Sequence, residues 1–195
     1  MPKLNEAHYD DLSKIALLHK EVYPGTHFTS HLPDHVLQTY YSYFLSGSTV
    51  TFKAVDMLNG EPSLCGFLTC GTGIPEAIAL FKQKQRLALL IAALRHPVAV
   101  IRKLGSATFY GTLDSPTQFK PAPYLILSIA SNGRVKGIGK LLLEAAKNRA
   151  AILGYSRIGL YVHCHNLHAI KFYLRNQFLI TGYTSGQFYL EAPTE

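Results

Sequence analysis

The sequence predicts a single α/β (α+β) domain on a mixed central sheet, and three observations carry that prediction. The last third reads strand, helix, strand, helix and two further strands. A strand–helix–strand crossover requires its two strands to run parallel. Ahead of it, two apolar stretches flank Asn59-Gly60, which suits an antiparallel hairpin. The downstream helix has one apolar side, as a helix packed on a sheet needs. With 195 residues, 48% hydrophobic and only 16% charged, the chain can bury a substantial core.

The first helix begins at Asp10 or Asp11, because Leu12, Ile15, Ala16, Leu18, His19 and Val22 recur at helical spacing, and Pro24-Gly25 ends it. Pro33-Asp34 opens a second helix carrying Val36, Leu37, Tyr40, Tyr41 and Phe44, which stops at Gly47. Ser48 to Met57 reads as a strand and Leu64 to Thr72 as its return, with Glu61-Pro62 lengthening the turn between them. Pro75 starts a helical stretch that runs to Arg95; Pro97 breaks it, and a shorter helix follows to about Leu104. Tyr124 to Ala130 is a buried strand and Gly137 to Leu153 a helix stopped by Gly154. In that helix Ile138, Leu141, Leu142 and Ala145 form the apolar face, opposite Lys140, Glu144, Lys147 and Asn148. Arg157 to His163 is a strand with Ile158, Leu160 and Val162 alternating, Leu167 to Arg175 a short helix, and Phe178 to Glu191 two strands around Thr184-Ser185-Gly186. Neither an internal repeat nor a low-complexity linker interrupts this order.

Charge and cysteines bound the function. The formal net charge is +7, from 19 Lys and Arg against 12 Asp and Glu. Such an excess suits an anionic partner, whether nucleic acid, lipid or a phosphorylated small molecule. Residues 74–106 hold most of it, with Lys82, Lys84, Arg86, Arg95, Arg102 and Lys103 against Glu76 alone, a net +5. This block is a helical insertion with three readings: a cover for the sheet or an oligomer contact, a basic lid over an acceptor site, or an anchor on an anionic membrane surface. The cysteines Cys65, Cys70 and Cys164 are odd in number and do not space like a disulfide framework, which suits a reducing compartment. Met1 to Asp11 is polar and lacks a targeting core, and the apolar run Leu87 to Leu94 is too short to cross a bilayer of about 30 Å. A cytoplasmic protein is expected.

The chemistry concentrates after Tyr124. From Leu127 a strand runs into the loop Ser131-Asn-Gly-Arg-Val-Lys136 and then into a helix. Gly137 and Gly139 lack Cβ atoms, so a ligand can approach the backbone closely. The first amides of a helix have no intrahelical acceptor, and with the positive end of the dipole they form a site for a pyrophosphate. Arg134, Lys136 and Lys140 add positive charge around it. Glycine pairs also serve as plain turns, so the loop alone does not decide. Downstream, Asn166, Ala169 and Tyr173 share one helix face at intervals of three and four. Asn166 suits an N-cap, Ala169 leaves room for a ligand chain, and the Tyr173 phenol can protonate a leaving group or simply fill the core. His163, Cys164, His165 and His168 invite a metal reading, but no second ligand pair closes a tetrahedral site, so no metal is expected.

Together these pieces resemble the GCN5-related N-acetyltransferase (GNAT) superfamily. Its loop signature, Gln/Arg-x-x-Gly-x-Gly/Ala, is matched by Arg134-Val-Lys-Gly137-Ile-Gly139, and its later signature by Asn166-Leu-His-Ala169-Ile-Lys-Phe-Tyr173. Gln177 stands before Phe178 where the family usually has glycine. The insertion resembles that of some bacterial members, placed before the fourth strand. The resemblance implies a parallel pair splayed to hold CoA, helices on both faces, and direct acetyl transfer from acetyl-CoA to a primary amine. It implies that Ile129 and Ala130 offer main-chain bonds to the pantetheine arm. Amides of Val135, Lys136, Gly137, Ile138, Gly139 and Lys140 would hold the pyrophosphate with Arg134 beside it, Asn166 and Ala169 would line the arm, and Tyr173 would act as general acid. Many relatives carry a basic carboxylate on the strand before the loop. This chain has no Asp or Glu between Asp114 and Glu144, which leaves Glu21, His27, His31, Tyr110 or a water chain as base.

The expected acceptor is a small-molecule amine, with an amino sugar or nucleotide-linked amino sugar favoured. A protein or peptide N-acetyltransferase acting on lysine or an N-terminus is the alternative. The reading from another class is a non-catalytic basic module that binds CoA, membrane or nucleic acid. No nucleic acid is expected, because interleaved aromatics and helix-turn-helix or finger spacing are missing. A homodimer and a peripheral membrane contact through 74–106 stay open.

Overall fold

The computed structural model describes residues 2–23, 27–58, 60–95 and 120–195. The predicted stops at Pro24-Gly25 and Pro97, the turn residue Asn59, the short helix to Leu104 and the candidate base Tyr110 lie outside these residues.

A seven-stranded mixed sheet organises the chain, in the order β1-β2-β3-β4-β5-β7-β6. Its strands are β1 (Lys3–Glu6), β2 (Thr49–Leu58), β3 (Glu61–Gly71), β4 (Tyr124–Ser131), β5 (Arg157–His163), β6 (Leu179–Thr184) and β7 (Gln187–Pro193). The helices are α1 (Leu12–Val22), α2 (Asp34–Ser42), α3 (Ile74–Lys84), α4 (Arg86–Arg95), α5 (Ile138–Ile152) and α6 (Leu167–Arg175). The pair β4–β5 is parallel, as the crossover required, and the other neighbouring strands are antiparallel.

Two cores flank the sheet because its strands alternate their side chains. Phe67 faces one core, formed by α1, α2 and the insertion helices through Ile15, Leu37, Tyr41, Phe44, Phe81 and Ala92. Leu68 faces the other, formed by α5 and α6 through Leu142, Leu143, Ala146, Ile170 and Tyr173. Gly66 lets α5 approach β3: a Cβ there would stand 2.5 Å from Ile138 Cγ2 and 2.8 Å from the Ala130 carbonyl oxygen.

The structure departs from the sequence pattern at four places. Strand β1 was not foreseen, because its burial pattern is mostly exposed and its sequence polar; pairing with β2, from Lys3↔Val55 to Glu6↔Phe52, holds it in the sheet. Glu61-Pro62 does not lengthen the hairpin turn but starts β3, where Pro62 pairs with Met57. Pro62 lies beyond the part of β3 that β4 joins, so its missing N–H leaves no ladder position empty on that side. The helical stretch after Pro75 is two helices that part at Gln85. Lys147 is not on the polar side of α5: it is only 5% exposed, with Nζ 5.7 Å from the centre of the Phe178 ring.

Gln177 adopts the left-handed conformation that glycine takes without penalty, with φ +68°. The turn forms all the same, with the Phe178 amide donating to the Tyr173 carbonyl at 3.1 Å. An L-residue held there costs about 1 kcal/mol. Gln177→Gly is therefore expected to stabilise the protein by about that amount and raise Tm by roughly 2–4 °C in a thermal melt. A lower Tm would contradict the strain.

Candidate active site

The site begins where two strands part. β4 and β5 pair only at Tyr124↔Ile158, Leu125↔Gly159 and Ile126↔Leu160. On the other edge of β4, Ser128 pairs with Thr69 and Ile126 with Cys70, so Leu127 is an extra residue, a β-bulge. A bulge bends and twists its strand. Ser128 to Ser131 stay with β3, while β5 continues to His163 alongside β7. Among the described residues the backbone of β4 beyond the bulge thus has no strand partner on its β5 side.

Tyr23, just past the end of α1, reaches this edge. Its hydroxyl donates to the Ile129 carbonyl at 3.1 Å, and burial pushes its pKa up to about 12. Nothing in the sequence reading singled Tyr23 out, because the contact spans 106 positions. Its ring stacks on His19 at 4.4 Å. His19 in turn lies 2.7 Å through Nδ1 from the Tyr41 hydroxyl and 3.0 Å through Nε2 from Thr29 Oγ1. Ser128 Oγ is buried and has no hydrogen-bond partner among the described residues.

Burial lowers the His19 pKa to about 4. The folded state resists protonation while the unfolded chain takes a proton near pH 6.5, so stability is complete above that pH and falls as pH drops towards 4. The loss reaches about 3 kcal/mol at the lower end. Urea midpoints measured at pH 7 and pH 4.5 should differ accordingly in the parent and converge in His19→Gln; equal slopes in both would refute the assignment.

The loop after β4 is fixed from within. The Asn132 amide donates to the Cys65 carbonyl at 3.1 Å, and the Arg134 amide to Asn132 Oδ1 at 3.2 Å. Gly137 is the N-cap of α5 with φ +83°, a conformation that favours glycine, and the space where a Cβ would stand is open. No side chain caps this helix end, which leaves its first amides to serve an anion. Gly139 has a different reason: a Cβ there would stand 3.2 Å from the Phe172 ring, so the glycine lets α6 pack closely. Arg134 Nη2 lies 3.2 Å from Glu21 Oε1, an exposed pair that joins the loop to α1. Lys140 lines a cavity of about 410 Å³ with Glu144, Arg175, Asn176 and Gln177. A cavity of similar volume, about 410 Å³, between Tyr43, Thr49 and Glu76 shares no residue with the constellation.

Helix α6 completes the arrangement. Asn166 is its N-cap, with Oδ1 accepting from the Ala169 amide at 3.1 Å. Tyr173 is 6% exposed, against Phe178. Burial raises its pKa, and the nearby Tyr23 adds to the effect. The phenol is therefore protonated throughout the neutral range, as an acid must be. Its hydroxyl makes no hydrogen bond with the described residues. Of the candidate bases, Glu21 is in the Arg134 pair and the His27 ring lies 5.2 Å from Tyr23; His31 closes a 3-10 turn. His163 and His165 stack at 5.6 Å, and no group of three or more metal-ligating side chains assembles among the described residues.

The chain matches the acetyltransferase (GNAT) family over residues 102–178. Solved structures share its fold over almost all of its length. The PaiA N-acetyltransferase of Thermoplasma acidophilum, in complex with coenzyme A, is 14% identical, with TM-score 0.57 over 99% of both chains. NAA60 of Arabidopsis thaliana, in complex with acetyl-CoA, is 17% identical, with TM-score 0.57 over 99% of this chain and 98% of that one. The ribosomal-protein-S18-alanine N-acetyltransferase of Escherichia coli is 14% identical, with TM-score 0.56 over 100% and 95%. No curated protein matches the chain.

Proposed function

We propose that the chain, which matches the acetyltransferase (GNAT) family over residues 102–178 and shares the fold of solved N-acetyltransferases, is an N-acetyltransferase with acetyl-CoA as donor and acetylates a primary amine of a small molecule by direct transfer. In this reading residues 1–195 are one transferase domain, with the helices after Ile74 as its insertion. The observation that carries the reading is the parting of β4 from β5 beside an uncapped helix N-terminus.

These residues fit the donor. The open edge at Ile129 and Ala130 suits the amides of a pantetheine arm, and the amides from Val135 to Lys140 suit a pyrophosphate, with the Arg134 side chain beside them. Asn166 and Ala169 would line the arm. Acetyl-CoA supplies the activated thioester when bound. Tyr173 Oη holds the proton that a departing thiolate needs. Tyr23 Oη, which occupies the Ile129 carbonyl, must yield or share that acceptor with the arm. An amine nucleophile must lose a proton before it attacks; Glu21, paired with Arg134 of the loop, and His27, beside the Tyr23 that reaches Ile129, are candidates for that base.

The basic charge of the insertion favours an anionic acceptor, such as a nucleotide-linked amino sugar. A peptide or protein amine is the second reading, favoured by one fold neighbour whose name denotes a ribosomal protein alanine. Calorimetry with acetyl-CoA tests the donor: no heat of binding would end the proposal. An acceptor panel of amino sugars, their nucleotide conjugates and peptides, read as the mass gain of one acetyl group, separates the two acceptor classes. Acetylation of peptides alone would overturn the small-molecule reading.

A further inference from the structure

Helix α4 turns an apolar stripe to solvent. Leu87, Leu90, Ile91 and Leu94 are 71%, 56%, 41% and 73% exposed, and their spacing sets them on one side of the helix. The opposite side is already in use: Ala92 is buried, and Ala88 and Leu89 rest against the core of α1 and α2. Among the described residues the stripe is therefore surplus to packing. At about 100° per residue, Arg86 and Arg95 fall roughly 90° to either side of its centre. Both are exposed, as are Lys82 and Lys84 at the end of α3, and Glu76 is the only acid from residue 74 to 95.

We propose that α4 is an interfacial anchor on an anionic lipid bilayer, with the four apolar side chains among the acyl chains and Arg86 and Arg95 on lipid phosphates. Long cationic side chains lay their stems on apolar surface and keep their heads at the phosphate level, so flanking arginines suit a helix lying in the membrane plane. At 10 residues α4 is too short to span the roughly 30 Å core. Two other occupants use only half of the surface. A nucleic acid would meet the cations and leave the apolar stripe in water. A second copy seated symmetrically would set Arg86, Arg95, Lys82 and Lys84 against their own images, and four side chains fall short of the about 800 Å² per partner of a stable interface.

The proposal does not rest on the acceptor assigned above. Flotation of the full chain with vesicles tests it. The protein should float with mixed phosphatidylglycerol and phosphatidylcholine vesicles, not with phosphatidylcholine alone, and release as salt rises. Leu94→Glu should lower the partition coefficient at least about tenfold, and Arg95→Gln about fivefold. Lys171→Gln, which removes the same charge from the exposed side of α6, should leave it unchanged. Thermal melts verify that each variant is folded. No flotation with anionic vesicles overturns the proposal, whatever covers the stripe instead. So do equal flotation with neutral vesicles, parental binding by Leu94→Glu, and self-association that Leu94→Glu abolishes in the absence of vesicle binding.

Discussion

Tyr173→Phe is expected to lower kcat about 100-fold while the Kd for acetyl-CoA changes less than about twofold. The magnitude follows from the proposed role, since a positioned general acid contributes roughly 10²–10⁴ in rate. The specificity follows from the surroundings. The hydroxyl has no hydrogen-bond partner among the described residues, and the ring rests on Phe178. Phenylalanine keeps that contact and leaves no polar group orphaned, so the melting temperature should hold. Steady-state kinetics with calorimetry on the same preparation separate the outcomes. A parental kcat would remove Tyr173 from proton transfer. A joint fall in kcat and donor affinity would make it a wall of the site and not its acid.

The second large effect is on folding. Gly159→Val should destabilise the protein by about 3 kcal/mol or more. A Cβ at Gly159 would stand 2.1 Å from Tyr189 Oη and 2.7 Å from its ring. That hydroxyl cannot retreat cheaply, because it accepts from the Ala122 amide at 2.6 Å. Overpacking of this kind costs about 1–3 kcal/mol, and the lost hydrogen bond adds about 1 more. Gly159 also belongs to the short parallel ladder that sets where β4 and β5 part. Chemical denaturation gives the test, and an unchanged midpoint would show that Tyr189 has somewhere to go.

The later half of the chain was the more legible. Arg157–His163 and Leu167–Arg175 were read to the residue, because alternation and helical period are strong there and Asn166 marks the helix start. The loop and the last helix lie where the sequence pattern puts them for the same reason: their candidate residues sit within a few positions of one another. The first half was harder. β1 has no apolar face to announce it, and the break at Gln85 has neither glycine nor proline. Lys147 was placed outward because charge usually is, yet its stem is buried and its ammonium lies over Phe178. Tyr23 and His19 escaped because their roles depend on contacts with β4 and α2 made only after folding. Leu127 looked like any strand residue; its bulge is a matter of register with β3, which no local pattern carries.

The extra residue at Leu127 has a consequence for handling the protein. An unzipped strand edge in the middle of a sheet is a template for any extended chain, including the same segment of a neighbouring molecule. A bound pantetheine arm would occupy that edge much as a short added strand does. Purification and storage with CoA should therefore suppress clumping as well as raise the melting point, by about 2.7 kcal/mol of added stability at a hundredfold excess over Kd.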